Sequence, residues 1–370
     1  MARKKKVRYA VVGLGYFAQV AVLPAFSHAK NSELAALASS DQEKLREIGD
    51  KYGVELRCSY DDLDHMLATG QIDAVYIALP NNLHCEYTVR AAREHVHVLC
   101  EKPMAVTEDE CQKMIRACDE NGVKLMIAYR LHFDAANLKC VELAKSGELG
   151  ELRFFSSDFG QQVVEGNIRL KRDLGGGTLY DLGVYCINAA RYLFRDEPTE
   201  VFAYSANNGE ERFREVDEMT SCVMRFPKQR LATFTTSFGG TDVDAFQLMG
   251  TKGRLRLDPA YDFNAKLKLT TEIDGTSKQQ SFSKRDQVAA ELVYFSDCVL
   301  NDKTPEPDGW EGLADVRVVR ALYRSADTAE SVKLAPFERP RRPGIEQEID
   351  RPASWFKPEL VGAESPSGQS

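Results

Sequence analysis

Short apolar runs alternate with helical segments between residues 7 and 129, and this alternation limits the fold more than any other feature. The runs are rich in Val, Ile, Leu and Ala, which is typical of strands buried on both faces. The predicted strands are residues 7–15, 33–39, 72–80, 97–102 and 123–129. Helices between such strands predict βαβ units and a parallel sheet covered on each side.

The pattern changes after residue 130, where a helix near 134–146 leads into a series of strand-like segments. Short turns between several of these segments indicate antiparallel pairing, and alternation within 218–226 indicates a sheet with one buried face. The predicted strands are 152–159, 200–207, 218–226, 231–238, 244–250, 253–258 and 265–271, and further helices are predicted at 181–195, 287–300 and 312–328.

A glycine-rich turn follows the first strand and matches the pattern G-x-G-x-x-A at Gly13, Gly15 and Ala18. The first glycine permits a tight turn, the second lets a pyrophosphate approach, and the small third residue lets the helix pack on the strand. A preceding strand and a following helix are the context that supports dinucleotide binding. The alternative is a glycine turn that serves packing only.

The end of the second strand bears on the choice of cofactor, because a carboxylate there would bind the 2′-hydroxyl of NAD. Ser39 occupies that position, followed by Ser40, Asp41 and Lys44. The two serines and the lysine would suit a 2′-phosphate, so NADP is favoured over NAD. Asp41 is the opposing observation, and an ordinary helix cap is the alternative interpretation.

Polar residues also follow the next two strands, at the edge where open α/β sheets bind their ligands. Asn81 would bond a ribose or carboxamide, or the loop would simply cap the helix that begins near His84. Lys102, at the end of the fourth strand, would take the proton of a substrate hydroxyl or stabilise its developing charge. Glu101 would orient Lys102, and the alternative is a salt bridge at a strand end.

The segment LKRDLGGGTLYDLGVYC, residues 170–186, is the second concentration of chemically useful residues. Asp181 and Tyr185 are four residues apart and so share a helix face. Tyr185 would pass a proton with a lysine nearby, and Asp181 would hold a substrate hydroxyl. The alternative is an amphipathic helix with Tyr185 in the core.

Composition excludes several classes of protein. A net charge of -8 argues against nucleic-acid and anionic-membrane partners, which require a basic face. The basic residues 3–6 are interpreted as a solvated lead-in, and the chain has neither a secretory signal nor a membrane-length apolar run. Nine cysteines without a CxxC pair indicate free thiols, with no metal and no disulfide framework. We therefore expect a cytoplasmic protein.

Together these motifs resemble the glucose–fructose oxidoreductase, inositol dehydrogenase and rhizopine-catabolism (Gfo/Idh/MocA) family, and most of all its glucose–fructose oxidoreductase branch. The segments that carry the resemblance are GLGYFA at 13–18, LPNNLH at 79–84, EKPMA at 101–105, YRLHF at 129–133 and GGGTLYDLGVYCIN at 175–188. The resemblance implies an α/β Rossmann domain followed by an α+β domain with a large, open, mostly antiparallel sheet. It also implies a homodimer or homotetramer formed through that sheet.

The resemblance further implies roles for individual residues. Lys102, Asp181 and Tyr185 would be catalytic, and these three would contact the sugar together with Tyr129 and His132. The cofactor would be bound by Gly13, Gly15, Tyr16, Phe17, Ser39, Ser40, Lys44, Pro80, Asn81, His84, Glu101, Lys102, Arg130 and Arg172. The predicted domains are residues 1–130 for the dinucleotide, 131–335 for substrate and oligomerisation, and 336–370 as a Pro-rich arm or disordered tail.

Two features depart from the family pattern. No histidine follows Asp181 at the expected spacing, and Tyr185 stands instead, which favours a tyrosine as acid or base. The exported enzymes of this branch carry an N-terminal arm that clasps the cofactor, and here the first strand starts at Val7. The tail from Pro336 would replace that arm across a dimer.

The sequence therefore predicts an NADP-dependent aldose oxidoreductase that forms a lactone. An alternative enzyme keeps its NADP(H) bound and shuttles hydride between two sugars. A non-catalytic NAD(P)-binding sensor is the alternative from another class, and the presence of Lys102, Asp181 and Tyr185 argues against it.

Overall fold

The first part of the chain folds around a six-stranded parallel sheet. The computed structural model describes residues 6–353 and 358–368, so most of the basic run lies outside the described residues. The strands, in the order β3-β2-β1-β4-β5-β6, are β1 (Val7–Val12), β2 (Ser32–Ala38), β3 (Leu56–Cys58), β4 (Ala74–Ile77), β5 (His97–Glu101) and β6 (Leu125–Ala128). This order matches the predicted doubly wound fold.

Helices cover both faces of this sheet because its strands are apolar on both sides. A π-helix (Ala18–Val22) follows β1 and continues into α1 (Leu23–Ala25). The remaining helices of this part are α2 (Gln42–Tyr52), α3 (Leu63–Ala68), α4 (His84–Arg93) and α5 (Glu108–Glu120). Because the strands are parallel, all of them end at the same edge of the sheet. The polar residues that follow β1, β2, β4 and β5 therefore lie close together at this edge.

A nine-stranded sheet forms the second part, in the order β14-β13-β12-β11-β7-β10-β9-β8-β15. Only the pairing of β7 with β10 is parallel among these neighbours, which confirms the mostly antiparallel sheet. The strands are β7 (Leu152–Gly160), β8 (Glu200–Ala206), β9 (Met219–Phe226), β10 (Arg230–Ser237), β11 (Val243–Gly250), β12 (Gly253–Leu257), β13 (Leu267–Ile273), β14 (Thr276–Phe282) and β15 (Val332–Lys333).

The helices of the second part join the two sheets. They are α6 (Ala135–Ser146), α7 (Val184–Phe194), which continues a π-helix at Leu179–Gly183, α8 (Gln287–Leu300) and α9 (Gly309–Thr328). Apolar residues of α8 pack on the first sheet, where Tyr9 and Ser296 share a hydrogen bond of 2.9 Å. Helix α8 therefore belongs to the core of the dinucleotide domain, although it follows most of the second domain in sequence.

The Pro-rich C-terminal region packs against its own chain over residues 336–353 and 358–368. Arg339 pairs with Asp308 at 2.9 Å, and Arg342 pairs with Glu197 at 2.5 Å. Glu197 also binds Arg191, which is fully buried. Ion pairs therefore hold the beginning of this region against the end of α7 and the start of α9.

The outer face of the nine-stranded sheet exposes apolar side chains. Phe154, Leu231 and Val223 lie on neighbouring strands, and each is at least 37% exposed. Among the helices of residues 6–353 and 358–368, none has the length and apolar character needed to cross a bilayer.

Candidate active site

A cleft of about 1450 Å³ lies where the carboxyl ends of the parallel strands face the second sheet. Its volume exceeds the ~300–1,000 Å³ usual for one small ligand, which leaves space for a dinucleotide and a substrate. Most of the predicted site residues line it: Gly13, Gly15, Tyr16, Phe17, Ser39, Ser40, Lys44, Pro80, Asn81, Glu101, Lys102, Arg130, Asp181 and Tyr185. His84, Tyr129, His132 and Arg172 do not.

The glycine turn after β1 has the shape that a pyrophosphate needs. Gly13 has a φ of +101°, and a Cβ there would lie 2.4 Å from the Ala78 carbonyl oxygen. A Cβ at Gly15 would meet nothing within 4 Å, so the turn is open to the cleft at this point. These residues fit a dinucleotide because a ligand can approach the backbone closely ahead of a helix N-terminus.

The residues at the end of β2 both cap a helix and line the cleft. Asp41 caps α2, since its Oδ1 accepts hydrogen bonds from the amides of Glu43 (3.0 Å) and Lys44 (3.1 Å). These bonds and the Lys44 charge lower the pKa of Asp41. Ser39, Ser40 and Lys44 line the cleft together with Asp41, whose second carboxylate oxygen lies 3.7 Å from Lys44 Nζ.

The Lys102 ammonium lies between the other two predicted catalytic residues. Its Nζ is 3.6 Å from Asp181 Oδ1, and it donates to the Asp181 carbonyl oxygen at 3.1 Å. The same nitrogen lies 4.7 Å from the centre of the Tyr185 ring, a cation–π distance. The Lys102–Pro103 peptide bond is cis. Lys102 thus meets Asp181 and Tyr185 in one cluster, although they lie at least 79 positions later in the sequence.

Glycines after Arg172 hold the turn that delivers Asp181 and Tyr185. A Cβ at Gly176 would lie 2.4 Å from the Arg169 carbonyl oxygen, and one at Gly175 would lie 2.8 Å from Asn81 Cβ. Asn81 Nδ2 donates to the Gly175 carbonyl oxygen at 2.8 Å. The loop after β4 and the glycine run therefore support each other, and the amide of Asn81 is partly used for that purpose.

Arg169 was not singled out from the sequence, yet it is the main partner of Asp181. Its Nε donates to Asp181 Oδ2 at 2.7 Å, and Gln161 donates to the same oxygen at 3.1 Å. Burial alone would raise the pKa of Asp181, but Arg169 and Lys102 hold it below its usual value. Asp181 is therefore ionised at neutral pH.

Arg172, which the sequence assigned to the cofactor, points elsewhere. Its Nε donates to the Glu215 carbonyl oxygen at 2.8 Å, and the side chain is exposed. Both arginines belong to the same R-x-K-R run, and spacing alone does not distinguish them. The turn geometry that the glycines impose is the signal that would have distinguished Arg169 from Arg172.

The Tyr185 hydroxyl is approached from the other side by Arg130. One guanidinium nitrogen of Arg130 donates to Tyr185 Oη at 3.2 Å, and the group lies 5.1 Å from the ring centre. Arg130 is itself held by Gln287 of α8 and by the Tyr261 carbonyl oxygen. Two cations, Lys102 and Arg130, therefore flank Tyr185.

Tyr129 and His132 lie behind the cleft wall and not in it. Their rings stack at 5.4 Å, and His132 bonds Glu306 (3.3 Å) and Asn188 (2.8 Å) in full burial. Burial alone would lower the pKa of His132, but the Glu306 carboxylate raises it. The expectation that this pair contacts a sugar does not agree with these positions, and both residues act in a buried polar network.

His84 has a similar supporting position. Its Nδ1 lies 2.9 Å from the Pro103 carbonyl oxygen and its Nε2 lies 3.0 Å from that of Leu79. Burial lowers the pKa of His84, and a neutral imidazole donates to only one of these oxygens. His84 thus connects the loops after β4 and β5 without reaching the cleft, which differs from its predicted cofactor contact.

Two hydrogen bonds hold the Glu101 carboxylate next to Lys102. Tyr76 donates to Glu101 Oε1 at 2.6 Å, and the Lys102 amide donates to Oε2 at 3.2 Å. Burial raises the pKa of Glu101. Glu291 of α8 is also fully buried, and burial together with the Glu101 charge raises its pKa well above the usual value. Glu291 carries no local sequence signal, because the charge that acts on it belongs to a residue 190 positions earlier in the chain.

Comparison with known proteins identifies both parts of the chain. The sequence profile of the GFO/IDH/MocA oxidoreductase family with an NAD-binding Rossmann fold matches residues 7–129, and that of the GFO/IDH/MocA C-terminal domain matches residues 138–256. A D-xylose 1-dehydrogenase [NADP(+)] of Haloarcula marismortui is 32% identical over 90% of this chain and 94% of its own length.

Solved structures give the same result. An aldose–aldose oxidoreductase from Caulobacter crescentus, crystallised with glycerol, has a TM-score of 0.86 and 37% identity over 89% of this chain and all of its own. A 3-ketoreductase from Actinomadura kijaniata, crystallised with NADP and TDP-benzene, has a TM-score of 0.80 and 25% identity over 87% of this chain and 98% of its own.

Proposed function

Because this chain belongs to the GFO/IDH/MocA oxidoreductase family, we propose that it is an NADP-dependent oxidoreductase that oxidises an aldose at C1 to the lactone. The observation that carries the proposal is the cluster of Lys102, Asp181 and Tyr185 beside the glycine turn, in one cleft. A lysine, a carboxylate and a phenol at one point are suited to move a hydroxyl proton and hold a sugar.

NADP is proposed in preference to NAD on the charge at the end of β2. Ser39, Ser40 and Lys44 line the cleft there, and the carboxylate of Asp41 is bonded to backbone amides. The NADP dependence of the xylose dehydrogenase from Haloarcula marismortui and the NADP in the 3-ketoreductase crystals agree with this choice.

The proposed reaction removes a hydride from C1 of a pyranose and a proton from the C1 hydroxyl, and leaves a lactone. When bound, NADP supplies the hydride acceptor. Tyr185, as the phenolate, takes the hydroxyl proton and becomes a neutral phenol, and the positive charges of Lys102 and Arg130 lie on either side of it. Lys102 also donates to the C1 oxygen and stabilises its developing negative charge.

Asp181 is proposed to hold a sugar hydroxyl. It is ionised and partly buried, and its two oxygens already bond Arg169, Gln161 and Lys102. A carboxylate accepts about four hydrogen bonds, so acceptor capacity remains for a substrate. Arg169 fixes the orientation of this carboxylate and is a positioning residue.

A sugar–sugar oxidoreductase that retains its cofactor is the second candidate. Two observations favour it: the 37% identity to an aldose–aldose oxidoreductase, and the C-terminal residues Gly362 to Ser367, which line the same cleft. Its chemistry uses the same residues in both directions, first with one aldose and then with another.

The test follows nicotinamide absorbance in purified protein when xylose or glucose is added, with and without free NADP. Continuous NADPH formation that requires added NADP supports the dehydrogenase. A rise equal to the enzyme concentration without added NADP, reversed by a second sugar, supports the sugar–sugar enzyme. If neither aldose changes the absorbance of NADP-loaded protein, the proposed function is wrong.

A further inference from the structure

We propose that residues 358–368 form a strap across the cofactor cleft, and that NADP(H) enters and leaves only when this strap opens. The inference rests on the proposed function, since it requires a dinucleotide in the cleft. It is argued from different observations, namely the path of the C-terminal segment and the contacts that hold it. Gly362, Ala363, Glu364, Ser365, Pro366 and Ser367 are all part of the cleft wall.

The first attachment of the strap is on the dinucleotide domain. Gln19, in the π-helix after the glycine turn, donates from Nε2 to the Val361 carbonyl oxygen at 2.9 Å and accepts from the Val361 amide at 2.8 Å. Its Nε2 also donates to the Leu14 carbonyl oxygen at 3.0 Å. Lys51 donates to the Glu359 carbonyl oxygen at 3.1 Å. The buried side-chain amide of Gln19 thus links the strap to the helix that follows the glycine turn.

The strap next crosses Lys44, the residue proposed to bind the 2′-phosphate. A Cβ at Gly362 would lie 3.0 Å from Lys44 Cε and 3.8 Å from Asp41 Oδ2, so the strap backbone rests on that side chain. The φ of Gly362 is +53°, a conformation that glycine adopts at little cost. The strap therefore covers the adenosine end of the site.

The second attachment is on the other domain. The Val164 amide donates to the Pro366 carbonyl oxygen at 2.9 Å, and a Cβ at Gly368 would lie 3.8 Å from Val164 Cβ. Val164 belongs to the loop that leads to Arg169, and both line the cleft. The strap thus bridges the two domains over the mouth between them.

The contacts upstream of the strap are of a different kind. Arg339 and Arg342 make ion pairs with buried carboxylates of α9 and of Glu197. The strap is held by hydrogen bonds to its backbone, two of them at Val361, and by the packing of Val361 on the core. Opening the strap therefore disturbs fewer interactions than detaching the whole C-terminal region. This arrangement suits a segment that moves for cofactor exchange while its anchor stays in place.

A closed strap slows cofactor release, and slow release is what a sugar–sugar oxidoreductase needs. Hydride can be returned to a second sugar only if NADPH remains bound until that sugar arrives. The strap thus determines which of the two proposed reaction cycles predominates, with the catalytic residues unchanged.

The first experiment locks the strap reversibly with Val164→Cys and Gly368→Cys. The Cβ separation of 3.8 Å equals the mean of natural disulfides. NADPH-loaded protein is mixed with excess NADP, and the loss of bound NADPH fluorescence gives the exchange rate. Oxidised protein is expected to exchange at least about tenfold more slowly than the same protein after thiol reduction. The Val164→Cys single variant under the same oxidant is the control.

The second experiment opens the strap. Gln19→Leu removes the two bonds to Val361 and the bond to the Leu14 carbonyl oxygen, and it puts an apolar side chain of similar size in place of the amide. It is expected to speed exchange about tenfold. Gln71→Leu, an exposed glutamine far from the strap in sequence and structure, is the matched control. Deletion of residues 358–370 is expected to have the same effect or a larger one.

Equal exchange rates in the oxidised and reduced double variant, or an unchanged rate in both Gln19→Leu and the deletion, would overturn the strap. That outcome leaves the proposed function intact, because NADPH is then seen to bind and exchange. Absence of any NADPH binding to the wild-type chain would instead contradict the proposed function itself.

Discussion

Asp181 is the residue whose charge the structure defines most directly. Its pKa lies below the usual 3.8 in the folded chain, because Arg169 and Lys102 outweigh the effect of burial. A lowered pKa means that its ion pairs stabilise the fold above pH 3.8 and lose this effect as the pH falls through the folded value. Asp181 therefore does not titrate near neutral pH.

This charge state gives a prediction for Asp181→Asn. Losing hydrogen bonds to a charged group costs about 1.5–3 kcal/mol, so kcat/KM is expected to fall roughly 10- to 100-fold. Because the wild-type carboxylate is ionised throughout, the factor is expected to be constant between about pH 5 and pH 9. A pH–rate profile of both proteins measures it, and a factor that shrinks at one end of the range would contradict the assignment.

Lys102→Ala tests the proton and charge role of the lysine. We expect kcat to fall by about 10²–10⁴, the usual contribution of a proton-transfer group, while NADPH still binds. Lys171→Ala is the control, because Lys171 pairs with Glu215 at 3.0 Å and does not line the cleft. Turnover assays and NADPH titration are the measurements, and near-normal turnover in Lys102→Ala would remove the lysine from the mechanism.

Arg169 and Arg172 form a matched pair for a third prediction. Arg169→Gln leaves Asp181 without its main partner, so the KM for the sugar is expected to rise more than fivefold, about 1 kcal/mol. Arg172→Gln is expected to change KM less than twofold, since that side chain bonds Glu215 and not the cleft. Steady-state kinetics of the two variants compare them, and equal effects would show that the positioning argument is wrong.

At the residue scale, sequence reasoning worked where a residue follows a parallel strand directly. Lys102 and Asn81 reach the cleft because β5 and β4 end at the same sheet edge, and that edge follows from topology. His132 and Arg172 were predicted to lie at the site and do not line the cleft, because the direction of a side chain on a loop depends on neighbours that only the tertiary structure supplies. Glu291 gave no local signal for the same reason.

At the scale of elements, α8 places the buried carboxyl of Glu291 near that of Glu101, the last residue of β5. Burial raises the folded pKa of Glu291 well above 4.5, so the folded chain holds a proton that the unfolded chain releases. The stability contributed by this proton is present at low pH and is lost as the pH rises from about 4.5 toward the folded pKa.

Glu291→Gln removes this titration and keeps the side-chain volume. We expect the stability of the variant relative to the wild type to increase with pH, by up to about 1.4 kcal/mol per pH unit while only the folded carboxyl is protonated. Urea unfolding at pH 5 and pH 8 measures the difference. The same difference at both pH values would mean that Glu291 is ionised in the folded chain.

The elements themselves were predicted unevenly. Helix α8 was predicted at residues 287–300, and the structure has it at Gln287–Leu300, because its apolar face is continuous. Strand β14 was missed, since six of its seven residues are exposed and it lies at the sheet edge without an apolar pattern. Strand β3 has three residues, which is too short for a periodic signal.

At the scale of the whole molecule, the outer face of the nine-stranded sheet predicts self-association. Leu231 is 43% exposed and Val223 is 40% exposed on neighbouring strands, with Phe154 and Tyr204 nearby. Contiguous exposed apolar residues mark interaction surfaces. We propose a homodimer or homotetramer through this face.

Replacing Val223 and Leu231 by lysine is expected to yield monomers, because like charges would face each other across a symmetric contact. Sedimentation analysis of the wild type and the double variant measures the mass. Val243→Lys, at the end of β11 away from β9, is the control. A monomeric wild-type chain would contradict the proposal.

In the proposed reaction, hydride leaves C1 of an aldose for the nicotinamide in this cleft. The most direct measurement uses glucose deuterated at C1 with NADP-loaded protein, followed by mass analysis of the nicotinamide. We expect one deuterium on the reduced nicotinamide from the C1-labelled sugar and none from the C2-labelled sugar. Reduction of the cofactor without deuterium from C1 would contradict it.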